Sequence, residues 1–159
     1  MQQWINQHPI FIPFYVAGWF VFVFYWIALT SGWRLLAQRF RMQGTFTGEK
    51  WTRQSVQFRT FAQYNRALIV GADGTGLFIA PMFILRPWHP PLFVPWTEIS
   101  APQTIRRFFF TYIELRLGRS DQVPFRIRPT LAAKVEAAAG PSWPMGYHRA
   151  MELQPPPIG

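Results

Sequence analysis

The stretch LIVGADGTGLFIA, residues 68–80, gives the clearest indication of the fold. Two short apolar runs, at 67–71 and 77–80, lie on either side of the sequence ADGTG. An Asp-Gly pair between apolar runs is a strong hairpin signal, because glycine adopts positive φ without steric cost. We therefore predict two antiparallel strands joined by a turn at Asp73-Gly74.

Three more segments after this hairpin have the pattern of strands. PPLFVPWTEI, residues 90–99, predicts a strand that ends near Ile99, and TIRRFFFTYIELRLG, residues 104–118, predicts the longest strand. VPFRIR, residues 123–128, alternates apolar side chains with arginine, as half-buried strands do. The core side of the long strand is predicted to carry Phe109, Ile113, Leu115 and Leu117.

A helix is predicted after the strands. Thr130 is a candidate N-cap for LAAKVEAAA, residues 131–139, whose larger apolar residues fall on one side at helical spacing. Gly140-Pro141 is a strong stop signal. The remaining residues, 141–159, have little periodicity and several prolines, and predict an extended tail.

Composition narrows the class of protein. A chain of 159 residues has room for about one compact domain. Its net charge of +9 suits an anionic partner, either a nucleic acid or an acidic membrane surface. Half of the residues are hydrophobic, which disfavours nucleic acid because its binders are usually much more polar. The absence of cysteine excludes disulfides, thiolate chemistry and zinc ribbons.

The amino-terminal part contains a long uncharged run, IFIPFYVAGWFVFVFYWIALT, from Ile10 to Thr30. At about 1.5 Å rise per residue, such a helix is about as long as the ~30 Å hydrocarbon core is thick. The alternative is a cleaved signal peptide, but the usual basic region before the apolar run is missing. The run predicts a transmembrane helix at 10–32, whose packing residues include Trp19, Phe22 and Trp26.

The charges on either side of this run predict an orientation. Residues 1–9 carry no lysine or arginine, whereas several arginines follow Trp33 closely. By the positive-inside rule the amino terminus lies outside and the remainder in the cytoplasm. The expected localisation is a bacterial inner membrane, with a single pass.

Residues 33–45 predict an amphipathic juxtamembrane helix. Trp33, Leu36, Ala37 and Phe40 share one side at helical spacing. Arg34, Arg39 and Arg41 are the candidate lipid-headgroup ligands, since each basic residue near an anionic surface contributes about 1 kcal/mol. The alternative is a simple continuation of the preceding helix that packs on the domain at 46–140.

The order of elements resembles a known class of small domain. The segments LIVGADGTGLFIA, VPWTEI, IELRLG and VPFRI, followed by a closing helix, are similar to bacterial PH-like or GRAM-like domains over about residues 55–140. The expected fold class is therefore a single transmembrane helix followed by a mainly β PH-like barrel or sheet with one carboxy-terminal helix. The resemblance implies a membrane-associated binding or interaction module and no catalyst.

One side of the predicted long strand suggests an interaction surface. Opposite the core side stand Arg106, Phe108, Phe110, Tyr112, Glu114 and Arg116. Contiguous apolar side chains on an open surface mark interaction sites. The tail or the 33–42 helix could cover this side, or a partner subunit could. With the tryptophans of ILRPWHPPLFVPW, the predicted partner interface is Phe108, Phe110, Tyr112, Arg106, Trp88 and Trp96.

No catalytic, metal or cofactor site is predicted. His89 lies in a proline-rich loop without a nucleophile signature nearby, and a structural or interfacial role is expected. His8, His89 and His148 lack the spacing of metal ligands. GADGTG does not have the spacing of a phosphate-binding loop.

Three hypotheses for function follow. The favoured one is a non-catalytic accessory subunit that docks on a larger integral-membrane complex, with a respiratory or photosynthetic complex as one case. The alternative is a module that binds anionic lipids at a membrane surface. The third, a membrane-bound enzyme, requires that Glu98, Glu114 and His89 lie close together.

Overall fold

The structure is a computed structural model. It describes residues 11–30, 32–59, 62–83, 86 and 89–144. The expectations for residues 1–9, for Trp88 and for the tail after residue 144 lie outside the described residues, as do His8 and His148.

The described chain is mainly β, with seven strands and three α-helices. The helices are α1 (Phe11–Thr30), α2 (Trp33–Phe40) and α3 (Pro129–Ala139). The strands are β1 (Glu49–Phe58), β2 (Ala62–Ala72), β3 (Gly76–Pro81), β4 (Leu92–Pro95), β5 (Gln103–Arg107), β6 (Phe110–Leu117) and β7 (Val123–Ile127). Short 3-10 turns follow β4 at Trp96–Glu98 and follow α3 at Gly140–Ser142.

All seven strands belong to one antiparallel sheet in the order β4-β3-β2-β1-β7-β6-β5. The far end of β1 joins the two halves, because Gln57 pairs with Arg126 and Phe58 pairs with Phe125. Elsewhere each strand pairs with its neighbour in the chain. The strands β4 and β5 are therefore the two edges of the sheet.

The main core gathers the buried side chains of the sheet under two helices. Phe58, Leu68, Leu115 and Phe125 are completely buried in it. The helix α3 adds Leu131 and Val135, and α2 adds Trp33 and Leu36. Because burial of one such side chain contributes about 1.5–3 kcal/mol, these contacts fix both helices on the sheet.

A second, smaller cluster forms where the segment after α2 crosses β3 and β4. The ring of Phe46 stacks on Phe78 with 4.7 Å between the ring centroids. The Lys50 ammonium lies 5.6 Å from the Phe46 ring centroid and 5.7 Å from that of Phe78, within the range of cation–π attraction. The Met42 N–H donates to the Pro91 carbonyl, which ties this segment to the chain just before β4.

The predicted hairpin at Asp73-Gly74 is confirmed. The Asp73 carboxylate accepts hydrogen bonds from the N–H groups of Thr75 and Gly76 and from the Thr75 hydroxyl. The indole N–H of Trp96 donates to the Asp73 carbonyl at 2.8 Å and fixes the turn against the chain after β4. Burial by itself would raise the pKa of Asp73, but these hydrogen bonds hold that pKa below its ordinary value.

Other sequence expectations need correction in detail. The predicted strand at 104–118 is two strands, β5 and β6, with a tight turn at Phe108-Phe109. The predicted strand ending near Ile99 stops at Pro95, and Trp96–Glu98 form a 3-10 turn. The helix predicted at 33–45 ends at Phe40. The closing helix is confirmed, and it begins at Pro129, one residue before the expected N-cap.

The membrane-spanning part of the predicted fold is wrong. Among the residues that the structure describes, no helix is both long enough and apolar enough to cross a bilayer. The predicted fold class, the transmembrane helix at 10–32 and the single-pass inner-membrane localisation are therefore not supported. The prediction was based on the length of the almost wholly apolar run from Ile10 to Thr30 and on its lack of charged residues.

We expect Asp73→Asn to weaken the hairpin. Loss of the carboxylate charge should lower the free energy of unfolding by about 0.5–1 kcal/mol at neutral pH, since hydrogen bonds to a charged acceptor are the stronger ones. Because the folded pKa lies below the ordinary 3.8, this contribution is present above pH 3.8 and lost as the pH falls through the folded pKa.

Urea unfolding of both proteins at neutral pH and in acid measures this difference. Asp121→Asn is the matched control, because the Asp121 carboxylate lies 3.8 Å from the Arg39 guanidinium and such surface pairs contribute little. A difference between Asp73→Asn and the parent that stays constant from neutral pH into acid would contradict the argument.

Candidate interaction surfaces

The helix α1 exposes large hydrophobic side chains around its circumference. Trp19 is 67% exposed, Trp26 is 58% exposed and Phe22 is 55% exposed. Further exposed hydrophobic residues of the helix are Ile12, Phe14, Tyr15, Val16, Phe20, Val21 and Tyr25. The three residues predicted for the membrane helix are thus on an open surface. A helix that is hydrophobic all round is normally buried against something.

A shallow groove of about 540 Å³ runs along α1. Phe14, Tyr15, Trp19 and Phe22 line it, with Gly18 as its floor. A Cβ built on Gly18 meets no atom within 4 Å, so the glycine leaves a notch between aromatic rings. Grooves of this form receive the ridges of a second helix.

The three arginines predicted to bind lipid headgroups are at the surface but do not form one site. Arg34 is exposed on α2, and Arg41 follows the end of that helix. Arg39 faces the Asp121 carboxylate at 3.8 Å. The apolar side of α2 packs into the core, since Trp33 and Leu36 are fully buried. The side predicted to rest on acyl chains is therefore occupied by the protein itself.

A second groove, of about 600 Å³, lies between the end of α2 and the chain around β4. Its charged residues are Arg39, Arg41, Asp73 and Glu98, and Phe46 and Phe93 contribute rings. The Asp73 carboxylate is already engaged in the hairpin turn, and the Glu98 carboxylate accepts a hydrogen bond from the Arg119 N–H. Both acidic groups of this groove thus have structural partners.

The most exposed aromatic residues form the turn between β5 and β6. Arg107 pairs with Phe110, so Phe108 and Phe109 are the two residues of the turn. Phe108 is 97% exposed, Phe109 is 99% exposed and Phe110 is 62% exposed. We call these three residues the phenylalanine tip. Of the predicted partner interface, Arg106, Phe108 and Phe110 are brought together here.

The other predicted interface residues lie elsewhere. Tyr112 pairs with Ile105 within the hairpin and is only partly exposed. Trp96 is buried beside β4, where its ring meets Trp143 with 5.6 Å between centroids. Trp96 is thus a core residue. It follows β4, whereas the phenylalanine tip follows β5 at the other edge of the sheet, so Trp96 does not extend the tip.

Glu114 was expected on the open side of the long strand, but it is buried. The Arg126 guanidinium donates to its carboxylate through Nε at 2.7 Å, and Arg116 lies at 3.5 Å. Arg126 also donates to the Arg59 carbonyl, so one guanidinium connects β6, β7 and the chain after β1. A carboxylate 3% exposed with these partners is part of the scaffold.

His89 is also buried, among aromatic rings. Its Nε2 and the Tyr64 hydroxyl are hydrogen-bonded at 2.9 Å. The Trp33 ring lies edge-on, 5.1 Å between centroids, and the Trp33 indole N–H donates to the Pro90 carbonyl at 3.0 Å. These contacts anchor the loop before β4 to α2 and β2.

The residues required by the enzyme hypothesis each bond to different partners. His89 bonds to Tyr64, Glu114 to Arg126 and Glu98 to the Arg119 backbone. Within the described ranges, no three His, Cys, Asp or Glu side chains form a group that could hold a metal ion. The three residues named by the enzyme hypothesis are therefore each engaged in a separate contact.

Sequence reasoning placed Phe109 in the core and overlooked Gly18. The sequence did contain a signal against a core position for Phe109. Residues 104–118 form a run of fifteen strand-like residues, which exceeds the usual strand length of about 3–10, so a turn inside the run could have been predicted. For Gly18 no local signal exists, because its notch depends on which neighbouring rings stay uncovered.

Comparison with known proteins adds no identification. No family model matches the chain, and neither the curated proteins nor the solved structures include a significant match.

We expect Glu114→Ala to destabilise the fold strongly. It would leave the Arg126 guanidinium, with a side chain only 11% exposed, without its carboxylate, which costs about 3–5 kcal/mol for buried pairs. Urea unfolding followed by tryptophan fluorescence measures the change.

Arg116→Ala is the control, because the same carboxylate loses only a partner that is 46% exposed. Such surface pairs contribute about 0–1 kcal/mol. If both variants lowered the free energy of unfolding equally, the buried Glu114–Arg126 pair would contribute no more to stability than the exposed Arg116 contact, and the argument would be contradicted.

Proposed function

We propose that the chain is a non-catalytic accessory subunit that docks on a larger protein complex through α1. The observation that carries this proposal is the exposure of aromatic side chains around that helix, with Trp19, Phe22 and Trp26 all more than half exposed. Tryptophan and phenylalanine are enriched in the buried centres of protein interfaces. An accessory subunit needs a strong docking element and no chemistry of its own.

The energetics support burial of α1 on a partner. Covering one large hydrophobic side chain contributes about 1.5–3 kcal/mol, whereas association costs about 4–15 kcal/mol, so many of the exposed residues of α1 must be covered together. Within the part of the chain that the structure describes, these side chains of α1 stay exposed, and the apolar side of α2 is already occupied by the core. A separate protein surface is the occupant that we infer.

The form of the groove favours a helix as that surface. Gly18 lets the backbone of a neighbouring helix approach closely, and the surrounding rings of Phe14, Trp19 and Phe22 would pack on both sides of it. The predicted integral-membrane character of the complex, its respiratory or photosynthetic type and the PH-like or GRAM-like resemblance of the domain stay predictions.

We expect Gly18→Leu to weaken docking without harm to the fold. A leucine would fill the notch that a partner helix needs, while a Cβ at this position meets no atom of the chain itself. Replacement of a helical glycine also favours the helix by up to about 1 kcal/mol. The tagged full chain, purified gently from its source cells and separated by size, should lose its co-migrating proteins in this variant.

Val16→Leu is the matched control, because it adds bulk about 200° around the helix from Gly18. It should leave co-migration unchanged, and thermal unfolding should show that both variants fold. Parent protein that migrates alone would contradict the proposal. So would a parent homo-oligomer that Gly18→Leu dissociates, since a second copy would then be the occupant.

A further inference from the structure

The phenylalanine tip and the two arginines before it form a second surface, separate from α1. We propose that this tip inserts into an anionic lipid surface, with Phe108 and Phe109 at the level of the acyl chains and Arg106 and Arg107 at the phosphates. The proposal does not depend on docking through α1, because the two surfaces share no residue.

The shape of the tip is the first argument. It contains the two-residue turn of a hairpin at the edge of the sheet, and the structure leaves Phe108 and Phe109 almost completely exposed. A narrow convex projection buries its rings in a rigid protein only if a matching pocket exists. A lipid surface adapts to any shape, and aromatic side chains are favoured at its interface.

The charge around the tip is the second argument. Arg106 and Arg107 are consecutive on β5, so their side chains point to opposite sides of the hairpin. The sequence from residue 103 to residue 113 has no acidic residue, and Glu114, the next one, is buried with Arg126. Positive charge thus lies on both sides of the rings, which complements lipid phosphates.

The backbone at Phe108 is the third argument. Its φ is 53°, a conformation that favours glycine at this position of a two-residue hairpin turn. A phenylalanine here carries conformational strain and makes almost no contact within the fold. Positive φ also occurs at Arg53, Arg59, Arg66 and Gln122, so this backbone strain supports the proposal only together with the 97% exposure of Phe108.

Vesicle binding of the full chain tests the charge dependence. Vesicles of phosphatidylcholine alone are compared with an equimolar mixture of phosphatidylcholine and phosphatidylglycerol, at low and high salt. We expect binding to the anionic vesicles at low salt and much weaker binding at high salt. The variants Arg106→Ala and Arg107→Ala should each reduce it about fivefold.

The insertion itself has a direct readout, because the chain contains no cysteine. Phe109→Cys, labelled with an environment-sensitive fluorophore, should shift to shorter emission wavelength with anionic vesicles. Phe83→Cys is the matched control, since Phe83 is 82% exposed but lies after β3, away from the tip. Its label should not shift.

A double variant, Phe108→Ser with Phe109→Ser, should lower vesicle affinity by about tenfold per ring. Both rings are almost fully exposed, so unfolding by urea should be nearly unchanged. Phe83→Ser should leave vesicle affinity at the parent value.

Four results would overturn the proposal. They are no binding of the parent to either vesicle, equal binding to neutral and anionic vesicles, no shift of the label at 109 while the chain sediments with vesicles, or unchanged affinity of the double variant. The third would assign vesicle binding to another surface, such as α1. Docking through α1 is judged separately, by co-migration of the Gly18→Leu variant.

Discussion

The packing around Trp33 is the constraint on which the arrangement of the other parts depends. Its ring is fully buried between Phe58 and Tyr64, and its indole N–H reaches the Pro90 carbonyl. One side chain thereby connects α2 to the first two strands and to the loop before β4.

Local signals in the sequence predicted the elements whose stability is local. The turn at Asp73 and the stop at Gly140 depend on the backbone preferences of one or two residues, and both were read correctly. The burial of Glu114 depends on Arg126, twelve residues away and on another strand, so no short window contains it. Trp33 illustrates the same limit: an amphipathic pattern shows that one side is covered, but not whether protein or lipid covers it.

The prediction of strands was least accurate where it relied only on the alternation of apolar and polar residues. Residues 104–118 alternate well enough to fit one strand, but a turn at Phe108 reverses the chain and changes which residues face the core. The aromatic residues assigned to one side of a strand are therefore the end of a hairpin. The predicted transmembrane helix at 10–32 depended on the length of one uncharged run, and among the described residues no helix is both long and apolar enough to cross a bilayer.

The surface is basic partly because several acidic side chains bond to other groups of the protein. Asp73 closes a turn and Glu114 holds a buried arginine. Glu98 accepts the Arg119 N–H, and Asp121 faces Arg39. Three of the seven acidic residues thus bond within the fold and Asp121 forms only a surface pair, whereas Arg34, Arg106 and Arg107 are exposed on its outside. Since Arg106 and Arg107 directly precede the phenylalanine tip, a partner that approaches the tip meets aromatic rings beside positive charge. This combination favours surfaces that are apolar and anionic together over surfaces that are only one of the two.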